Sequence, residues 1–170
     1  MGWLMGNIIL IGMPGCGKST IGKVLSKALR LDFFDCDAVL EETEKTTIPK
    51  IFESFGEDYF RQLETKTLSQ LCKRQNAVIS TGGGVVERKE NLDILKNSGI
   101  VVFINRPLEM ISGDVDTTHR PLLKDGKKRL ASLYNRRISL YKSVCDVEID
   151  NSAAIDTVVA KIIDEVKKNG

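Results

Sequence analysis

The chain has 170 residues, 42% of them hydrophobic and 28% charged, with a formal net charge of +2. That length supports one folding unit with a proper core, and the charge is too small to make nucleic acid a general partner. No apolar run approaches the roughly 20 residues that span a bilayer, so neither a nucleic-acid-binding nor a membrane protein is expected.

The opening Met-Gly-Trp-Leu-Met-Gly lacks the basic flank and long apolar segment of a secretory leader. Gly6 also breaks the myristoylation pattern, which requires Ser or Thr there. Cys16, Cys36, Cys72 and Cys145 are scattered, with no C-x-x-C pair. Scattered cysteines in a leaderless chain predict reduced thiols in the cytoplasm and argue against a cysteine-held metal.

Asn7 to Ile11 (NIILI) is a short apolar run, as a buried strand should be. Gly12 to Ser19 (GMPGCGKS) then match G-x-x-x-x-G-K-[ST] in full, and beyond Lys18 the apolar residues Ile21, Val24, Leu25, Ala28 and Leu29 fall on one helix face. A strand, a glycine-rich turn and a helix N-terminus gather backbone N–H groups and the positive end of a helix dipole around one point, which suits polyanionic phosphate. In that geometry the glycines let the loop wrap closely, Lys18 reaches the terminal phosphates and Ser19 offers its hydroxyl to magnesium. A chance match in a turn is the alternative, and the flanking strand and helix argue against it.

A second strand, Asp32 to Asp35, runs into Asp35-Cys36-Asp37. Two carboxylates beside a phosphate loop can divide the labour, one ordering magnesium and the other accepting a proton from an attacking hydroxyl. A turn or a helix N-cap would use Asp equally well. From Pro49 to Arg74 the spacing of Phe52, Phe60, Leu63, Leu68 and Leu71 predicts helix, broken near Gly56. Within it Arg61 and Glu64 stand at i,i+3, either as a solvated pair of little worth or as an arginine held to grip a carboxylate.

The third strand, Ala77 to Ser80, ends in Thr81-Gly82-Gly83-Gly84, which reads as a flexible turn or as a stretch of backbone that a substrate can approach closely. Ile100 to Ile104 is the fourth strand and runs into Asn105-Arg106-Pro107. Gly113 to Leu123 is polar and suits a mobile loop over the cleft, from which Arg120 could swing onto a transferring phosphate. His119, the single histidine, fits a surface position better than a catalytic one. Arg136 and Arg137 lie on the helix before the fifth strand, Cys145 to Ile149, and at least one belongs on a solvated face. After Asp150-Asn151-Ser152 the last helix carries Ile155, Val158, Val159, Ile162, Ile163 and Val166 on one stripe.

Strands separated by helices, without repeat or linker, imply an α/β fold with right-handed crossovers and a mainly parallel sheet covered on both faces. Ligands of such sheets bind at the carboxyl ends of the strands, where these polar and glycine-rich segments all lie. One shared cleft is predicted there.

Taken together, GMPGCGKST, FFDCD, IFESFGEDYFRQLE, STGGGVV, RPLL and RRISLY followed by DVEID resemble the shikimate kinases, over Asn7 to about Lys168. The resemblance implies a three-layer P-loop kinase fold of nucleoside-monophosphate-kinase type, with a five-stranded parallel sheet flanked by helices. It implies a single domain over 1–170, a substrate-binding helical region at about 37–74 and a mobile lid at about 112–124. The implied reaction is ATP-dependent phosphorylation of the 3-hydroxyl of shikimate with Mg²⁺, giving shikimate 3-phosphate and ADP for aromatic amino-acid biosynthesis, by a cytoplasmic monomer. Asp37 resembles the base that also binds the shikimate hydroxyls, and Lys18 and Arg120 resemble the residues that neutralise the transferring phosphoryl group. Gly15, Cys16, Gly17, Lys18, Ser19, Thr20, Arg120 and Asn151 would bind the nucleotide, with Ser19 the direct magnesium ligand and Asp35 acting through water. Arg61 and Arg137 resemble the pair that grips the substrate carboxylate, with Glu64 orienting Arg61. Gly82, Gly83 and Gly84 line the site, and Phe52 and Phe60 wall the ring. Many family members carry a further arginine early in the lid, where this chain has Asp114 and Asp116. Competing expectations are a kinase for another small carboxylated polyol such as gluconate, and a nucleotide-binding regulatory module without catalysis.

Overall fold

The computed structural model describes residues 6–114 and 126–170. Five strands, β1 (Asn7–Ile11), β2 (Asp32–Asp35), β3 (Ala77–Ser80), β4 (Gly99–Asn105) and β5 (Val147–Asp150), form one sheet in the order β2-β3-β1-β4-β5. Every pairing is parallel, with Ile9 facing both Ile79 of β3 and Val101 of β4. The helices are α1 (Lys18–Leu29), α2 (Cys36–Glu44), α3 (Ile48–Cys72), α4 (Lys89–Lys96), α5 (Leu108–Asp114), α6 (Lys127–Val144) and α7 (Ile155–Asn169), with a 3₁₀ turn at Val85–Glu87. The parallel α/β reading of the sequence is borne out.

A strand buried on both faces can be apolar throughout, and β1 is buried at all five positions. The core continues through Val78, Ile79, Val101, Val102, Phe103 and Ile104 into the inner stripe of α7, where Val158, Val159, Ile162 and Val166 are buried. Because β1 is central, the turn that follows it opens in the middle of the sheet's carboxyl edge, between the other strand ends.

Two boundaries depend on local backbone chemistry. The break in α3 falls at Gly56, whose φ of 83° and ψ of 174° no helix accommodates, and a residue with a Cβ adopts that conformation only under strain. Strand β5 begins at Val147 rather than at Cys145. The Cys145 N–H still donates to the Tyr141 carbonyl at the end of α6 (3.1 Å), and the Asp146 side chain accepts from the Val101 N–H (2.8 Å). Cys145 therefore finishes a helix, although its apolar character reads as strand.

Asn7 ties the end of α3 to the sheet. Its side-chain amide donates to the carbonyls of Cys72 (3.3 Å) and Arg74 (2.8 Å), while its oxygen accepts from the Ala77 N–H (3.2 Å). Leaving a buried partner unsatisfied costs about 1–3 kcal/mol. Asn7→Ala should lower stability by about that amount, read as a fall in urea midpoint at unchanged m-value.

Candidate active site

The loop between β1 and α1 delivers Lys18 to the first turn of α1, where it is buried. The ammonium folds back over the loop, donating to the carbonyls of Gly12 (2.8 Å) and Met13 (2.9 Å) and lying 3.6 Å from Cys16 Sγ. Gly15, Gly17, Lys18, Ser19 and Thr20 line the cleft. Cys16 and Asn151 support the loop from behind. Cys16 is fully buried, and Asn151 Nδ2 donates to its carbonyl (2.7 Å).

Asp35 makes two sets of contacts, and the helix N-cap is one of them. Its Oδ1 caps α2, accepting from the N–H groups of Asp37 (3.0 Å) and Ala38 (3.2 Å). Its Oδ2 accepts from the Ser19 hydroxyl (2.5 Å), and the Ser80 hydroxyl lies 3.4 Å from Ser19. These oxygens suit a hard cation. Among the described residues no three His, Cys, Asp or Glu side chains converge to hold a metal by themselves. The set therefore fits Mg²⁺, which usually takes one or two protein oxygens and completes its shell with water and phosphate.

Asp37 lies in the first turn of α2, not on the strand, and lines the same cleft. Burial, the neighbouring Glu64 and Asp35 together push its carboxyl up to about 6, against the opposing pull of Lys18. Burial likewise pushes the Glu64 carboxyl up and outweighs the effect of Arg61.

Helix α3 turns Arg61 and Glu64 inward, and both are buried, 2.9 Å apart. The pair is therefore no solvated surface contact. Helix α6 presents Leu130, Leu133, Arg137, Tyr141 and Val144 on its buried stripe, which takes Arg137 inward and leaves Arg136 exposed. Three arginines converge on Glu87. Arg136 Nε approaches Oε1 at 2.5 Å, while Arg137 Nη2 and Arg61 Nη2 approach Oε2 at 3.0 and 3.7 Å. Glu87 is absent from the sequence-based site, and so is Tyr141, whose hydroxyl donates to the Gly83 carbonyl (2.5 Å). The i,i+4 spacing of Arg137 and Tyr141 on an apolar stripe is a signal that could have found the tyrosine.

The triple glycine is an ordered turn packed against charge. A Cβ on Gly84 would collide with the guanidinium of Arg61, and one on Gly82 would lie 2.9 Å from Glu64 Oε2 and 3.2 Å from Asp37 Oδ1. Phe52 and Phe60, with ring centroids 4.8 Å apart, close the far wall. The whole encloses about 730 Å³, a volume within the usual range for small-molecule sites. Arg120 and His119, and most of the segment expected to form a lid, lie outside the described residues.

The sequence model of the shikimate kinase family matches residues 14–167. The chain belongs to the shikimate kinase family. It is 50% identical over 156 residues to a shikimate kinase of Clostridium botulinum (strain Eklund 17B / Type B), covering 92% of this chain and 94% of that one. Among solved structures, shikimate kinase from Acinetobacter baumannii in complex with shikimate superposes with a TM-score of 0.93 at 36% identity, covering 97% of this chain and 94% of that chain. Shikimate kinase from Aquifex aeolicus gives a TM-score of 0.86 at 37% identity, covering 96% and 97% of the two chains. Membership of the shikimate kinases makes the chain an ATP-using kinase, with the five-stranded P-loop fold found above.

A carboxyl whose pKa is raised on folding contributes stability that is present below its unfolded value of 3.8 and is lost as pH rises through about 6. Ionised Asp37 therefore destabilises the fold with its cleft empty at neutral pH. After a discount for its opening onto the cleft, the penalty is on the order of 1–3 kcal/mol. Asp37→Asn should raise the melting temperature at pH 7.5, and the gain should vanish below about pH 4. Parallel thermal scans at the two pH values check this.

Proposed function

We propose that the chain transfers the γ-phosphoryl group of ATP to the 3-hydroxyl of shikimate. The observation that supports this best is the position of Asp37. Burial and the neighbouring Glu64 and Asp35 push its carboxyl up to about 6, and it lines the cleft that also holds the phosphate loop, Arg61 and Arg137.

Phosphoryl transfer depends mostly on positioning and on stabilising charge. The loop amides and Lys18 are placed for the β- and γ-phosphates, Lys18 exchanging its present carbonyl partners for phosphate oxygens. Ser19 directly, and Asp35 through water, would hold Mg²⁺, which neutralises phosphate charge when bound. Arg61 and Arg137 grip the acceptor carboxylate by bidentate hydrogen bonds. Glu64 keeps Arg61 in line, and the triple-glycine backbone lets the ring approach. With the acceptor so held, Asp37 takes the proton from the attacking hydroxyl. Arg120 is proposed from the sequence resemblance to join the phosphates. A monomer is proposed from the sequence resemblance, and a cytoplasmic site from the scattered cysteines without a C-x-x-C pair.

Gluconate would also satisfy two arginines. The apolar wall formed by Phe52 and Phe60, however, suits a compact carbocycle better than a flexible open-chain polyol. A coupled ADP-release assay with each acceptor decides between them. Turnover with shikimate is expected, and nucleotide binding without turnover on either acceptor would favour a regulatory module.

Asp37→Asn should retain ATP binding and lose about 10²–10⁴-fold in kcat. Because the ionised form is the base, kcat/KM for shikimate should climb as pH rises through about 6 and level off above it. A flat profile between pH 5 and 7.5 would remove Asp37 from the base role. Arg61→Lys should raise the shikimate KM by at least about tenfold with the ATP KM little changed, since an ammonium has no planar fork. Steady-state kinetics with each substrate varied in turn check this.

A further inference from the structure

We propose that Glu87 is an internal stand-in for the acceptor's carboxylate, holding Arg137 and Arg61 in the empty site and weakening acceptor binding by competing for them. This rests on the reading of that arginine pair given above.

Three observations carry the proposal. The first is convergence. Glu87 sits on the 3₁₀ turn directly after the triple glycine and meets Arg61 from α3 and Arg136 and Arg137 from α6. Its ion pair with Arg137 joins residues 50 positions apart in the chain.

The second is an incomplete grip. A guanidinium fully engaged by one carboxylate uses two parallel N–H groups. Arg137 spends one, through Nη2, on Glu87 Oε2, while its buried Nε has no hydrogen-bond partner. A buried donor without a protein partner is uncommon. A carboxylate arriving in the cleft can offer Arg137 the two-point contact that Glu87 does not. Arg61 likewise meets Glu87 only at 3.7 Å, its closer partner being Glu64 at 2.9 Å.

The third is an anchor for the displaced group. Glu87 Oε1 is held at 2.5 Å by Arg136, which lies outside the cleft on the exposed face of α6. Glu87 can release Arg137 and remain paired. Burial pushes the Glu87 carboxyl up, but Arg137 and Arg136 outweigh it and keep it below the usual carboxylate value. The charge is therefore present at working pH. Glu57 and Glu64 add two further negative charges around Arg61. An acceptor carboxylate thus enters a cluster already balanced, and it feels Glu87 as a like charge across a short gap. Anything that stabilises the empty arrangement more than the filled one lowers apparent affinity by that difference.

The test is Glu87→Gln, an isosteric change that removes the charge and keeps a hydrogen-bond acceptor. The shikimate KM, and its Kd by calorimetry at fixed nucleotide, should fall by about 3- to 10-fold, with kcat moving less and the ATP KM unaffected. Arg137→Lys is measured alongside. A raised shikimate KM in Arg137→Lys together with an unchanged or raised KM in Glu87→Gln overturns the inference alone, because Glu87 would then be inert or would organise the pair for its ligand. An unchanged shikimate KM in Arg137→Lys overturns the arginine-clamp reading, and the inference with it. Should Glu87→Gln not fold, Glu87→Asp draws the charge one methylene back from the pair, and the same directions apply.

Discussion

Among the described residues four side chains of the Lys, Arg and Glu type, Lys18, Arg61, Glu64 and Arg137, are buried at the carboxyl edge of the sheet. Taking an ion out of water costs several kcal/mol unless a partner of opposite charge or a set of hydrogen bonds replaces the solvent. The cleft meets this requirement by cross-pairing. Lys18 rests on loop carbonyls, Arg61 on Glu64, and Arg137 on Glu87. Each charge thereby fixes the position of an element that would otherwise be placed only by non-directional apolar contact: the loop after β1, helix α3 and helix α6. The apolar sheet beneath supplies the stability, and the ionic layer above it sets where the cleft walls stand.

The glycines follow from the same requirement. Guanidinium and carboxylate groups need room to lie flat against one another, and the turn after β3 gives that room by carrying no side chains. A single methyl group at Gly84 would occupy the space of the Arg61 guanidinium. Tyr141 then keeps the turn from wandering through its hydrogen bond to Gly83, backed by stacking on Phe103 at 5.0 Å. The freedom that glycine gives to the backbone is thus removed by a neighbour, and the turn ends as a rigid floor.

What was legible in the sequence was whatever repeats along it. β1, the loop after it and α1 announce themselves through a continuous apolar run, a fixed glycine spacing and a helical stripe. The break at Gly56 was visible because glycine interrupts a periodic pattern. The choice of Arg137 over Arg136 came from the family resemblance, and the structure places Arg137 on the buried stripe of Leu130, Leu133 and Tyr141 with Arg136 off it. The elevated Asp37 carboxyl was hidden, because its cause lies partly in Glu64, brought close by the packing of α2 on α3. Glu87 was hidden more deeply. It follows two valines with no periodicity to mark it, and its partners belong to helices on either side. Asp35 shows a different limit, for a helix cap and a place beside magnesium were weighed as rivals, yet a carboxylate has two oxygens, one here on the α2 cap and the other on Ser19.

That double use of Asp35 ties two parts of the molecule into one lever. One oxygen fixes the first turn of α2, on which Asp37 stands, and the other holds Ser19 at the head of α1. A ligand of the Ser19 hydroxyl would compete with Asp35 Oδ2 for it, on the same carboxylate whose Oδ1 caps α2. Linkage makes any coupling carried by this contact reciprocal: an effect of the phosphate end on α2 would be matched by an equal effect of α2 on the phosphate end. The two ends of the cleft thus share a single side chain at the sheet's edge.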